Sequence, residues 1–176
     1  MERPKLIEIV HDAPLGRRLD DVEVEAFLEA ATLEEAGAGT VLLSEGLPGR
    51  GLVVLADGEV EVVKQGDGGE HQLAVLDTGS AIGESGLTGG RVATATVRVL
   101  RPVQYLLWTR EAFDKLMTEH PRVAAKVALA IAQVETHRLH RMNEKVLELV
   151  GNNGKNGERL QELARFREQL FTDWDY

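Results

Sequence analysis

The 176-residue chain has no cysteine, five prolines and an aromatic content of only 5%. The absence of cysteine excludes a disulfide framework, a thiolate zinc site and a cysteine nucleophile. It also agrees with a reducing compartment, and the expected location is the cytoplasm. Long apolar runs are missing too. The least polar stretch, Val123 to Val134, is interrupted by Lys126 and Gln133 and is shorter than the roughly 20 residues of a membrane span. The charged N-terminus has no apolar core of the kind a signal peptide needs. Basic side chains are in deficit, 20 against 29 acidic ones for a net charge of −9. Binding of nucleic acid over the whole surface is thereby disfavoured, because that affinity comes largely from neutralised phosphates.

Catalytic signatures are equally scarce. No Gly-x-Ser-x-Gly elbow, phosphate-binding P-loop or zinc-ligand spacing occurs. A metal-dependent barrel enzyme would need histidines clustered on strands, and His71 is the single histidine of the strand-rich region. His137, His140 and Glu144 share one helical face by their spacing, but such side chains on a charged helix are expected to be solvated, with no metal bound. The chain is not expected to be an enzyme.

What the sequence does have is glycine, and its distribution is uneven. Between Gly37 and Gly90 glycines punctuate short apolar runs, whereas Pro121 to Val150 contains none. Acidic residues at Asp20, Asp21, Glu23 and Glu25 predict a helix from about Asp21 to Ala31. Val41–Leu43, Leu52–Leu55, Val60–Val63, Gln72–Leu76, Ala93–Leu100 and Val103–Trp108 read as strands. Short β-rich runs at regular spacing, parted by turn residues such as Asp57-Gly58, predict a sandwich or barrel. From Glu111 the period becomes helical, and Pro121 suits the first turn of a long helix ending near Val150. That helix, about 45 Å long, carries an apolar stripe through Val123, Val127, Ile131 and Val134, continued by Leu139, Met142, Val146 and Leu149. Pairing with a second copy is the expected use of the stripe, with Val127, Ile131, Val134, Leu139, Met142 and Val146 in the seam. The expected division is an N-terminal arm over 1–14, the barrel with its flanking helices over 15–119, the dimer helix over 120–150, and a final part over 151–176. That last part joins a Gly/Asn-rich break to an amphipathic helix and an acidic tail bearing Trp174 and Tyr176.

The order of these elements, with Gly39-Thr40-Val41-Leu42-Leu43-Ser44-Glu45-Gly46, Leu52 to Val62, Ile82-Gly83-Glu84 and Ala95-Thr96-Val97-Arg98-Val99, resembles the cyclic-nucleotide-binding domain. That domain is shared by catabolite activators, protein kinase A regulatory subunits and gated channels. The resemblance covers about Leu15 to Val150. It implies an eight-stranded jelly-roll barrel with one helix before it and two after. It also implies a phosphate-binding cassette, here Gly83, Glu84, Ser85, Gly86, Arg91, Val92, Ala93 and Thr94, in which the carboxylate matching Glu84 accepts a ribose hydroxyl and an arginine pairs with the cyclic phosphate. A phosphate in a barrel needs such a compensating cation.

The cassette departs from the family pattern at several positions. Aligned without gaps, Ala93 occupies the arginine position; with the loop shortened by two residues, Arg91-Val92-Ala93 reads as the family's Arg-small-Ala. A two-residue slip keeps Arg91 on the same face of the strand. Ser85-Gly86-Leu87 replaces an apolar-small-apolar sequence, and Gly79-Ser80-Ala81-Ile82 lacks the aromatic that normally precedes the Gly-Glu pair. Met142 and Asn143 lie where the activators' long helix approaches the base. The activators also carry a helix-turn-helix module longer than the 26 residues that follow Val150, so no DNA-binding module is expected. The expected function is a homodimeric regulatory module, with a cyclic nucleotide as ligand and a protein as partner. The alternatives are a ligand-free dimeric scaffold or a sensor of another nucleotide, such as a cyclic dinucleotide.

Overall fold

The computed structural model describes residues 1–66, 68–88 and 92–151. The chain divides into two compact units, Met1–Ala132 and Gln133–Tyr176. The first contains helices α1 (Arg3–Asp12) and α2 (Asp21–Glu29), strands β1 (Thr32–Ala36), β2 (Val41–Leu43), β3 (Gly51–Gly66), β4 (Gly69–Leu76) and β5 (Ala81–Ile82), the one-turn helix α3 (Ser85–Thr88), strand β6 (Thr96–Thr109) and helix α4 (Arg110–Glu119). Helix α5 (Pro121–Gly151) begins in the first unit and supplies the described part of the second.

Two long strands organise the barrel. The first half of β3 pairs with the second half of β6, from Gly51↔Thr109 to Asp57↔Gln104, and the second half of β3 pairs with the first half of β6, from Glu59↔Arg101 to Val63↔Thr96. Strands β1 and β5 flank the former pair, while β2 and β4 flank the latter. The result is a mainly β, jelly-roll domain of two four-stranded sheets with flanking helices. The eight expected strand segments are present as six continuous strands among the described residues, because β3 and β6 serve both sheets.

The Asp57-Gly58 pair expected to end a strand is instead a bend within β3, with register shifts on both sides. Gly58 has φ +92°, and a Cβ on it would lie 2.3 Å from the Pro102 carbonyl oxygen. The bends of the two long strands thus face each other. The strand expected from Ala93 starts at Thr96, and Ala93 makes only an isolated bridge to Glu45. The expected helix from Asp21 stops at Glu29. The segment 1–14 is no mere arm: α1 buries Leu6, Ile9 and Val10 and packs on α2 and β3.

Alternation along β3 and β6 splits the core in two. Val53, Leu55, Val60, Val97, Val99, Val103, Tyr105 and Leu107 face the space between the sheets with Leu43, Ile82 and Ala93. Leu52, Val54, Leu106 and Trp108, none more than 2% exposed, lie on the opposite face, under helices. Trp108 stacks on Phe27 of α2 with ring centroids 4.1 Å apart, and its Nε1 donates to the Phe27 carbonyl at 2.7 Å. Helix α2 starts with a capping box, Asp20 Oδ1 accepting from the Glu23 amide and Glu23 Oε2 accepting from the Asp20 amide, each at 2.9 Å. The Glu23 carboxylate, almost wholly buried, also pairs with Lys126 of α5. Val123, Ala124, Val127, Ala130 and Ile131 are buried in the same unit.

Two residues assigned to a dimer seam, Val127 and Ile131, are therefore consumed by the chain's own core, because the start of α5 closes over the domain. Val134 is half-buried. In the second unit Leu139, Met142, Val146 and Leu147 are exposed. Residues 152–176, with Trp174 and Tyr176, lie outside the described residues. No described helix is long and apolar enough to cross a membrane.

Candidate ligand-binding cassette

The cassette begins where β5 ends. Gly83, at φ +79°, turns the chain out of the sheet, and a Cβ there would stand 2.3 Å from the Gly51 carbonyl oxygen. Only glycine fits both the dihedral and the contact. Glu84 follows and is half-buried, with its Oε2 fully buried. An ionised carboxylate offers acceptors and no donor, which suits a ligand that bears hydroxyls. Ser85 opens α3, which is closed by Gly86 N–H to Gly83 O at 3.0 Å and Leu87 N–H to Glu84 O at 2.9 Å. Buried Leu87 anchors it. Arg110 holds α3 from behind, donating from Nη1 to the Leu87 carbonyl at 3.1 Å and from Nε to Asp114 at 2.9 Å. The cassette and the first turn of α4 are thereby joined.

The far end of the cassette is fixed by backbone ties. Ala93 donates to Leu47 O at 2.8 Å and accepts from the Gly46 amide at 2.9 Å. Its methyl belongs to the inner core, 9% exposed. The position that the ungapped alignment matches to the family's arginine is therefore inward-facing and carries no charge. Val92 and Thr94 are exposed. Lys64 Nζ donates to the Thr94 carbonyl at 2.7 Å and pairs with Glu45 at 3.2 Å. Glu45 also accepts from the Gln65 amide at 3.0 Å. That amide and the Lys64 ammonium hold the Glu45 carboxyl below its usual pKa, against the opposing effect of burial. Arg91 lies outside the described residues.

Sequence reasoning missed three residues beside the cassette. Glu34 and Tyr105 are cross-strand partners on β1 and β6, and the Tyr105 hydroxyl donates to Glu34 Oε2 at 2.7 Å. Arg50, in the turn before β3, closes a two-pronged pair on the same carboxylate, with both bonds at 2.7 Å. The guanidinium and then the phenol lower the Glu34 pKa; burial first, and the carboxylate second, raise that of Tyr105. The signal for β1 is weak because two of its five residues are glutamates; its backbone pairs with β6 from Thr32↔Leu107 to Ala36↔Val103, and Glu34 and Glu35 find side-chain partners in Arg50 and Gln104. Met142 and Asn143, expected near a base, are exposed positions of α5. Among the described residues no three His, Asp or Glu side chains are grouped to hold a metal ion, so His137, His140 and Glu144 form no such group.

The fold is thus a jelly roll with flanking helices, whose short glycine-turned cassette is tied to the first turn of α4. Comparison with known proteins names the family. The profile described as cyclic nucleotide-binding domain matches residues 33–120, half of the chain, and the protein belongs to that family. Mouse cGMP-dependent protein kinase 2 is 28% identical over 116 residues, 66% of this chain and 15% of the kinase. A solved cyclic nucleotide-binding domain from Methylobacillus flagellatus superposes with a TM-score of 0.73 at 26% identity, covering 82% of each chain. The regulatory domain of Toxoplasma gondii PKA, solved with cAMP, gives 0.59 at 27% identity, over 64% of this chain and 43% of that one. The chain spans between 6% and 26% of the length of the curated relatives it matches.

Proposed function

We propose that the protein is a non-catalytic regulatory module that receives a cyclic nucleotide at residues 83–94 and reports its presence to a protein partner through α4 and α5. The observation that carries this reading is the Gly83–Glu84 turn, wedged against Gly51 at the end of β5, with Glu84 half-buried beside it. Glu84 takes the ribose hydroxyl and Arg91 meets the phosphate, with Gly83, Ser85, Gly86, Val92, Ala93 and Thr94 shaping the rest. The relative solved with cAMP supports the choice of ligand class. The Arg110–Leu87 bond supports a route from cassette to helices. A ligand can shift those helices only by binding two of their arrangements unequally. The exposed Leu139, Met142 and Val146 provide the seam of a homodimer.

One observation favours a second reading, a ligand-free dimeric scaffold: the inward methyl of Ala93 where the family keeps its cation. Calorimetric titration with cyclic AMP, cyclic GMP and cyclic dinucleotides separates the two. The sensor reading expects micromolar binding of one nucleotide, weakened by Glu84→Ala and by Arg91→Ala. No heat with any of them at that concentration sinks it and leaves the scaffold. Binding that survives Arg91→Ala unchanged removes Arg91 as the phosphate cation.

A further inference from the structure

Ala93 leaves the inner wall of the cassette without a charge, yet an arginine stands in the turn whose backbone lies against the cassette. Gly49 and Gly51 bracket Arg50, and both lie against the cassette. A Cβ on Gly86 would be 3.5 Å from Gly51 Cα and N and 3.7 Å from Gly49 O, and one on Gly83 would strike Gly51 O. The residue between these two contacts is the arginine. Its Nη1 and Nη2 are given to Glu34, while Nε, on the other edge of the planar group, makes no hydrogen bond among the described residues. The chain carries nine more acidic than basic side chains, so an anion approaching the barrel needs a fixed local cation. The Arg50 side chain, 60% exposed, is positioned through Glu34, which is itself held by the Tyr105 hydroxyl, and Tyr105 is 5% exposed in the inner core.

We propose that Arg50 is a ligand cation of this site, held in reserve by Glu34, and that a cyclic phosphodiester monoanion seated at the cassette draws the guanidinium away from that carboxylate. The proposal rests on the cyclic-nucleotide reading above and adds to it a residue and a competition. Glu34 is then an internal stand-in for the ligand's phosphate: a planar carboxylate that satisfies the same fork. Because the two anions compete, the carboxylate sets the affinity as well as the resting position of the Arg50 turn. Arginine suits the role better than lysine, since a fork recognises a two-oxygen anion by shape as well as by charge.

The test is binding of fluorescent cyclic AMP and cyclic GMP derivatives to the full chain, in low salt. It compares wild type, Arg50→Gln, Arg50→Lys, Glu34→Gln and the double variant Glu34→Gln/Arg50→Gln. Arg50→Gln is expected to weaken binding about 10- to 100-fold, with Arg50→Lys in between. Glu34→Gln is expected to tighten it about three- to tenfold, because the guanidinium no longer has a charged partner to leave. The double variant, which leaves no unpaired charge, reports by its thermal melt whether the loss of affinity is a loss of fold. If it melts with the wild type and binds as poorly as Arg50→Gln, the effect belongs to the ligand. Wild-type affinity in Arg50→Gln overturns the proposal and leaves the cyclic-nucleotide reading standing. Glu34→Gln binding no tighter than wild type overturns the competition. No binding by either wild type or Glu34→Gln overturns the proposal together with the reading beneath it.

Discussion

Strand β3 is buried continuously from Gly51 to Ala56, but beyond Gly58 its burial is interrupted and fades toward Gly66. The same strand thus belongs to two sheets that solve different problems. In the first sheet Leu52 and Val54 turn away from the inner core and are still buried, because Trp108, Phe27 and the helices cover them. In the second sheet the outward face is wet and mixed, with charged and polar side chains beside apolar ones. Arg98 pairs with Glu61 at 2.9 Å and with Glu70 at 2.8 Å, and Gln72 donates to Glu61, while Leu73 and Val75 remain exposed. The difference teaches where stability resides: in one sheet it comes from dispersion and burial on both faces, in the other from one face alone.

Three perturbations put numbers on that contrast. Trp108→Ala opens a cavity under α2 and removes the bond to Phe27 O, so urea unfolding should show a loss of about 3–5 kcal/mol. A loss below about 1 kcal/mol would mean that the helices do not support the first sheet. The next effect concerns Glu23, which ties α2 to α5. Its bonds to Lys126 and the Asp20 amide lower its pKa from the usual 4.5. A lowered folded-state pKa gives stability that is complete above the unfolded value and is lost as the pH falls through the folded one. Melting temperatures measured from pH 6 down to about pH 3 should therefore fall more steeply for the wild type than for Glu23→Gln. Parallel curves would remove the carboxylate from the account. Smallest of the three, Leu73→Thr on the wet face should stay within about 0.5 kcal/mol. A larger loss would show that this face is covered by something in solution.

Much of this contrast is legible in the amino-acid order. The run Leu52-Val53-Val54-Leu55-Ala56 has no polar interruption and announces a strand buried on both faces, whereas Val60-Glu61-Val62 alternates. The Gly83-Glu84 pair and the Gly39 to Gly46 stretch locate the cassette and the strand that leads into its neighbouring turn. What stays hidden depends on distant partners. Asp57-Gly58 carries the dipeptide signature of a hairpin, but Pro102 faces it on β6 and makes it a bend. Strand β1 is hidden because Glu34 is satisfied by Arg50 and Tyr105, 16 and 71 residues away in sequence. The stripe of α5 is correctly apolar, yet period alone cannot distinguish Val127 and Ile131, buried in the domain, from Leu139 and Met142, which are exposed.

The long β3–β6 ladder also has a consequence in time. Its rungs run from Val63↔Thr96 outward to Gly51↔Thr109, so each joins residues far apart along the chain. Helices such as α2 can form in about a microsecond, whereas folds ruled by non-local pairing take about milliseconds to seconds. The cassette lies inside the loop that the first of these rungs closes, and its floor, Gly51, belongs to the last. Refolding from urea should therefore show helical ellipticity ahead of any competence to hold a nucleotide. The site, built from the strands inward, is expected to be the last part of the domain to form.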